Sequence, residues 1–155
     1  MTPAINQVKK AQIKYRIHKY THSPTSQSFG EEAAEKLGIS PHQVFKTLVV
    51  SLDKNKLCVA VLPVSSLLSF KKTAKAAKCK KCTMAEKPLV EKTTGYVAGG
   101  ISPLGQKKKL PAFIDISARE FSTIYISAGR RGLEIELAPE DLAILAEADF
   151  APLCQ

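Results

Sequence analysis

Two stretches, "VFKTLVVSL" (44–52) and "KLCVAVLPV" (56–64), bear hardest on what this chain can fold into. Both are rich in β-branched and apolar residues, and only the polar turn "DKNK" parts them, so they read as the two arms of a hairpin. In the first arm residues of both parities are apolar, so neither face of the strand is suited to water. Cover on both sides is what a curved sheet with helices outside it supplies.

The remaining pattern agrees. Thr2 and Pro3 form a helix start, an N-cap hydroxyl followed by proline at the first helical position, for a helix through "AINQVKKAQI". "YRIHKYTH" alternates, with Tyr15 and Ile17 on one parity and His18, Tyr20 and His22 on the other, as an amphipathic strand does. "GEEAAEKLG" opens on acids and closes at Gly38, a short helix. A basic helix is expected in "SLLSFKKTAKAAKC" and a shorter one in "MAEKPLVEKTT". "LPAFIDIS", "TIYISAG" and "LEIELA" read as strands, and Pro139 opens a last helix over "EDLAILAEAD". The expectation is an α+β fold in one domain spanning 1–155. Its curved mixed, mostly antiparallel sheet closes into a partial β-barrel, with surrounding helices.

The formal charge is +9, and it is unevenly spread. Between Phe70 and Lys109 eleven lysines face only Glu86 and Glu91, whereas the rest of the chain balances twelve basic against twelve acidic residues. Such concentration suits a polyanion-binding surface, although a solvated basic helix face would give the same count. Aromatic residues are scarce in the window, so phosphate contact fits better than base stacking. Cys79 and Cys82 in "CKKC", with His18 and His22, could be drawn as a zinc set. The order is reversed and the flanking lysines oppose a cation, so no metal and no cofactor is expected. Free thiols suit a reducing compartment. With no run near the roughly 18 apolar residues of a membrane span and no leader pattern, a soluble cytoplasmic protein is expected.

Two features could carry chemistry. Lys46 shares the parity of Leu48 and Val50, so its ammonium either snorkels to water at the strand end or serves a ligand inside. The segment "GGISPLG" (99–105) combines close backbone approach at glycine with a bend fixed by proline. Its N–H groups could hold a carbonyl oxygen, an oxyanion or a phosphate, or the segment could be a structural turn. No G-x-S-x-G elbow or H-E-x-x-H motif is present. An enzyme of this composition would have to orient a substrate that is already reactive.

"FGEEAAEKLGI" (29–39), "FKTL" (45–48), "TTGYVAGGISPLGQKKK" (93–109) and "GLEIELAP" (132–139) resemble the YbaK/EbsC family over essentially the whole chain. The first and third are closest to its YbaK branch, deacylases related to the insertion editing domain of bacterial prolyl-tRNA synthetases. The resemblance implies hydrolysis of cysteine mischarged onto tRNA(Pro), and prolyl-tRNA synthetase as a partner. It assigns catalysis to Lys46 and the loop residues Gly99, Gly100 and Ile101. It assigns substrate binding to Tyr20, Phe29, Thr47, Ser102, Pro103 and Glu136, the last standing where some members carry Asp. Lys71, Lys72, Lys75, Lys78, Lys107, Lys108 and Lys109 would then meet the tRNA backbone. A deacylase for alanine on tRNA(Pro), or a non-catalytic module binding tRNA or synthetase, is the alternative.

Overall fold

The hairpin forms as its sequence requires. In a computed structural model that describes residues 1–26 and 29–155, β2 (Phe45–Ser51) and β3 (Leu57–Pro63) pair antiparallel, with Lys46 opposite Leu62 and Val49 opposite Val59. Asp53–Asn55 make a single tight turn between them. Two clusters explain why both faces are apolar. Phe45, Val49, Val59 and Val61 belong to a main core with α1 (Pro3–Ala11), β6 (Ile124–Arg130) and β7 (Leu133–Leu137). The alternate residues Val50, Cys58, Ala60 and Leu62 pack in a second core with Leu68, Ala74 and Leu153. Every residue of β3 is buried.

The strands form two sheets. One has the order β1 (Tyr15–Lys19), β7, β6, all antiparallel. The other has the order β4 (Thr83–Met84), β2, β3, β5 (Ala112–Asp115), β8 (Ala148–Ala151). Its last two pairings, β3 with β5 and β5 with β8, are parallel, which makes it mixed. The sheets are joined by a parallel bridge between Val44, just before β2, and Tyr125 in β6. Helices α2 (Phe29–Leu37), α3 (Phe70–Ala76), α4 (Lys87–Thr94) and α5 (Pro139–Ala146) complete an α+β fold. Among the described residues no helix is long and apolar enough to cross a membrane.

Several boundaries differ from the sequence reading, each for a local reason. The basic helix is shorter than expected, because the Ser69 hydroxyl caps it by accepting from Lys72 N at 3.1 Å and Lys78 adopts a left-handed φ of 58°. The last helix stops at Ala146, where Glu147 turns left-handed (φ 50°). Ala148–Ala151, read from sequence as helix end and tail, is instead β8 along β5. Asp115 ends β5 early: its carboxylate accepts from Ser117 N at 3.1 Å and turns Ile116–Glu120 into a short 3-10 helix.

Candidate active site

A cleft of about 330 Å³ opens beside the half of β2 that β4 leaves uncovered. β4 pairs only with Val50 and Ser51, so residues 45–48 wall the cleft. Lys46 and Thr47 reach it from this strand, Tyr20 from just beyond β1, and Gly99 and Ile101 from the glycine loop. The sequence-predicted lysine and loop therefore share one space. Ser127, Arg130, Arg131 and Glu134, which sequence reasoning missed, line it too.

Lys46 is half-buried and its Nζ donates to the Ser66 carbonyl at 2.6 Å. Burial pushes its ammonium below the usual lysine range, against a weaker opposing pull from Cys154 and Glu31. The neighbouring Thr47 hydroxyl is buried with no hydrogen-bond partner among the described residues. An orphaned polar atom in a cleft wall is suited to a ligand, because leaving it unpaired costs stability.

The loop is held from behind. Gly99 has φ 89°, which favours glycine, and a Cβ on Gly100 would lie 2.8 Å from Arg130 Cα. Gly100 N donates to Val97 O at 2.9 Å, so this amide closes the turn instead of facing the cleft. Gly99 and Ile101 line the cleft, and the N–H of neither has a hydrogen-bond partner among the described residues. Ser102 is fully buried and its hydroxyl accepts from Leu104 N at 3.2 Å, while Pro103 borders a separate cavity on the α5 side. Both hold the loop; neither lines the cleft.

The acid lining the cleft is Glu134. It is 6 % exposed, and burial pushes its carboxyl up to about 8. Glu136, two residues on, lies outside the cleft lining: its carboxylate is 2.9 Å from His18 Nε2 and accepts from the Thr123 hydroxyl at 2.6 Å. Those hydrogen bonds hold it below the usual carboxylate range in spite of partial burial. "GLEIELAP" carries two acids of one parity, and only the one nearer the turn reaches the cleft. Phe29 opens α2, but its side chain lies outside those described.

The β6–β7 turn supplies the guanidinium groups. A bulge shifts the register between Ser127 and Arg130, and Gly129 lies within it with φ 111°. Arg131 lies 3.3 Å from His22 Nε2, and His22 Nδ1 is 2.6 Å from buried Glu32, so the turn is tied to α2. None of the seven lysines expected at tRNA lines the cleft. Lys71, Lys72, Lys75 and Lys78 are exposed on or just after α3, and Lys72 Nζ donates to Cys154 O at 2.7 Å. Lys107, Lys108 and Lys109 are exposed after the glycine loop, and Lys109 pairs with Glu147 at 2.6 Å.

Comparison with known proteins decides the family. A family model described as the aminoacyl-tRNA editing domain matches residues 22–145. The chain belongs to the aminoacyl-tRNA editing domain family. It is 40% identical to the proposed Cys-tRNA(Pro)/Cys-tRNA(Cys) deacylase EbsC of Enterococcus faecalis, over 98% of this chain and 92% of that protein. It is 24% identical to a proline–tRNA ligase of Syntrophus aciditrophicus, covering 86% of this chain but 24% of the ligase. In fold it matches a crystal structure of a proposed trans-editing enzyme for prolyl-tRNA synthetase, with a TM-score of 0.84, 21% identity and 100% and 99% of the two chains covered. Both Lys46 and the 99–101 loop of this editing domain fall inside the matched segment.

Proposed function

We propose that this chain is a trans-acting deacylase that removes cysteine mischarged onto tRNA(Pro). The observation that carries the reading is that Lys46 lines one cleft with Gly99 and Ile101, whose N–H groups have no hydrogen-bond partner among the described residues. An aminoacyl ester is already activated, so its cleavage needs orientation and stabilisation of charge on the carbonyl oxygen. In this reading the Gly99 and Ile101 N–H groups receive that oxygen. Lys46 exchanges the Ser66 carbonyl for the phosphate or ribose of the terminal adenosine, and the orphaned Thr47 hydroxyl finds its partner on the substrate. Glu134, whose carboxyl burial pushes up to about 8, regains its charge against the substrate's α-ammonium. The two sheets, joined at Val44 and Tyr125, act as one partly closed barrel around the cleft.

The bond chemistry falls to the substrate. The cysteine thiol attacks its own ester carbonyl, the carbon–oxygen bond to the ribose breaks, and the ribose hydroxyl leaves with the proton. A cyclic thioester is released and water opens it. Serine offers a weaker nucleophile and alanine none, so selection is chemical as well as steric. The synthetase's own pocket separates such near-isosteres poorly, which is why a second site is needed. The 40% identical EbsC supports this substrate, and the likeness to a segment of a proline–tRNA ligase supports prolyl-tRNA synthetase as the partner that hands it over.

Side-by-side deacylation of Cys-, Ala- and Ser-charged tRNA(Pro) tests the reading. Cysteine should be removed fastest, and Lys46→Ala should lower its rate by about 100-fold or more with unchanged circular dichroism. Preference for alanine would assign the chain to a different specificity, and tight binding without turnover would make it a binding module.

A further inference from the structure

A second groove, of about 540 Å³, runs on from the cleft along the outer side of the glycine loop. The two share Arg130 and Arg131, and the backbone from Ala98 to Ile101 borders first one and then the other. The groove's other borders are Met1–Pro3 and Gly95–Val97, where the side chain of Val97 is 73% exposed. At the far end Lys107 stands over Gly95, its Cβ 3.4 Å from where a Cβ of that glycine would be. The carbonyls at the end of α4, which would repel an anion, are already engaged: Thr93 O and Thr94 O accept from Lys108 N at 3.1 Å and Lys107 N at 2.9 Å. The nearby acid is engaged as well, since Glu91 accepts from Ala98 N at 2.8 Å.

From this arrangement we infer that the groove is the exit path for the single-stranded 3′ tail of the tRNA, with Arg130 and then Lys107 meeting successive phosphates. The inference rests on the deacylase reading, which fixes one end: an ester held between Lys46 and the 99–101 amides leaves a nucleotide chain that must go out of the cleft. The groove suits that chain because it is contiguous with the cleft, carries two arginines at the shared end and has Lys107 beside Gly95 at the other. Val97 on its border offers an apolar surface to a base. Arg130 has no acidic partner among the described residues and is exposed, so its guanidinium is available to an anion. The lysines of α3 lie on a different route, reached past Ser66 on the second-core face of β2. They would meet the duplex, not the tail.

The test uses uncharged RNA hairpins of an acceptor stem, one ending in the unpaired 3′ tail and one blunt, with binding read by fluorescence anisotropy over a salt series. The parent protein should bind the tailed hairpin more tightly. Arg130→Ala should erase about tenfold of that advantage, as loss of a charged hydrogen bond does. It should also lower the salt slope by about 0.7, the share of one single-strand phosphate. Arg130→Lys should restore most of both, and Lys107→Ala should act in the same direction. Lys71→Ala with Lys75→Ala should weaken both hairpins alike. The proposal is overturned if the tail adds no affinity, or if its advantage survives Arg130→Ala and disappears in the α3 variant. Deacylation of Cys-tRNA(Pro) by the parent is measured alongside. Tail-dependent binding without turnover would overturn the deacylase reading and leave the groove standing.

Discussion

Glu134 shows how strongly a single buried residue can tie this fold to pH. Its carboxyl is pushed up to about 8 by burial, whereas in the unfolded chain it ionises near 4.5. Between those values the folded protein holds a proton that the unfolded chain has lost, so stability declines as pH rises through the window. Its contribution is intact below the window and gone above it. Glu134→Gln cannot ionise, so its melting temperature should stay flatter than the parent's from about pH 5 to about pH 8. Equal slopes would move the proton to another group. Legibility at this scale divides in the same way. Lys46 could be picked out because an ammonium in an apolar strand is costly whatever surrounds it. Glu134 could not, because its distinction from Glu136 depends on which of two like-facing acids lies nearer the cleft. Arg130 and Arg131 looked like ordinary turn residues until β6 and β7 brought them beside the glycine loop.

Among the elements, the loop after α4 is set by close packing as much as by its own sequence. The spacing "GGISPLG" announced a backbone that could approach a ligand, and Gly99 and Ile101 do line the cleft. It did not reveal that Gly100 is reserved for approach to β6, where a methyl group would meet Arg130 Cα at 2.8 Å. Nor did it reveal that Ser102 and Pro103 are buried supports. Gly100→Ala should therefore push the loop off β6, costing about 1–3 kcal/mol as overpacking does. The deacylation rate should fall further than the unfolded fraction explains, since the Gly99 and Ile101 amides move with the loop. Chemical denaturation and turnover measured on the same preparation separate the two effects. Full activity in a destabilised Gly100→Ala protein would detach the loop from the reaction. The helices and strands themselves were largely legible, because their signals are local: caps, periodicity and turn residues. β8 was not, because a four-residue strand with a polar residue inside it is stabilised only by its parallel neighbour β5.

Across the whole molecule, the contacts that hold the cleft link residues far apart in sequence, and no local pattern could have announced them. Thr2 caps α1 and its hydroxyl donates to Ala128 O in β6, while Gly105 N donates to Gln7 Oε1 at 2.8 Å, so α1 braces both sides of the loop. On the opposite side residues 153–155 lie along residues 67–69. Ser69 N donates to Leu153 O at 2.7 Å, Gln155 N donates to Leu67 O at 2.9 Å, and Asp115 accepts from Leu153 N at 2.8 Å. That strap fixes the segment whose Ser66 carbonyl receives the Lys46 ammonium. Leu153 is fully buried in the second core, so Leu153→Ala should cost about 2–5 kcal/mol of stability by opening a cavity. The loosened strap should also free Ser66, so deacylation should slow well below the melting temperature, and its dependence on pH should shift toward that of a better-hydrated lysine. A variant that is less stable yet turns over at the parent rate, with the parent pH profile, would mean that the walls of β2 alone position Lys46 and that the strap serves only the core.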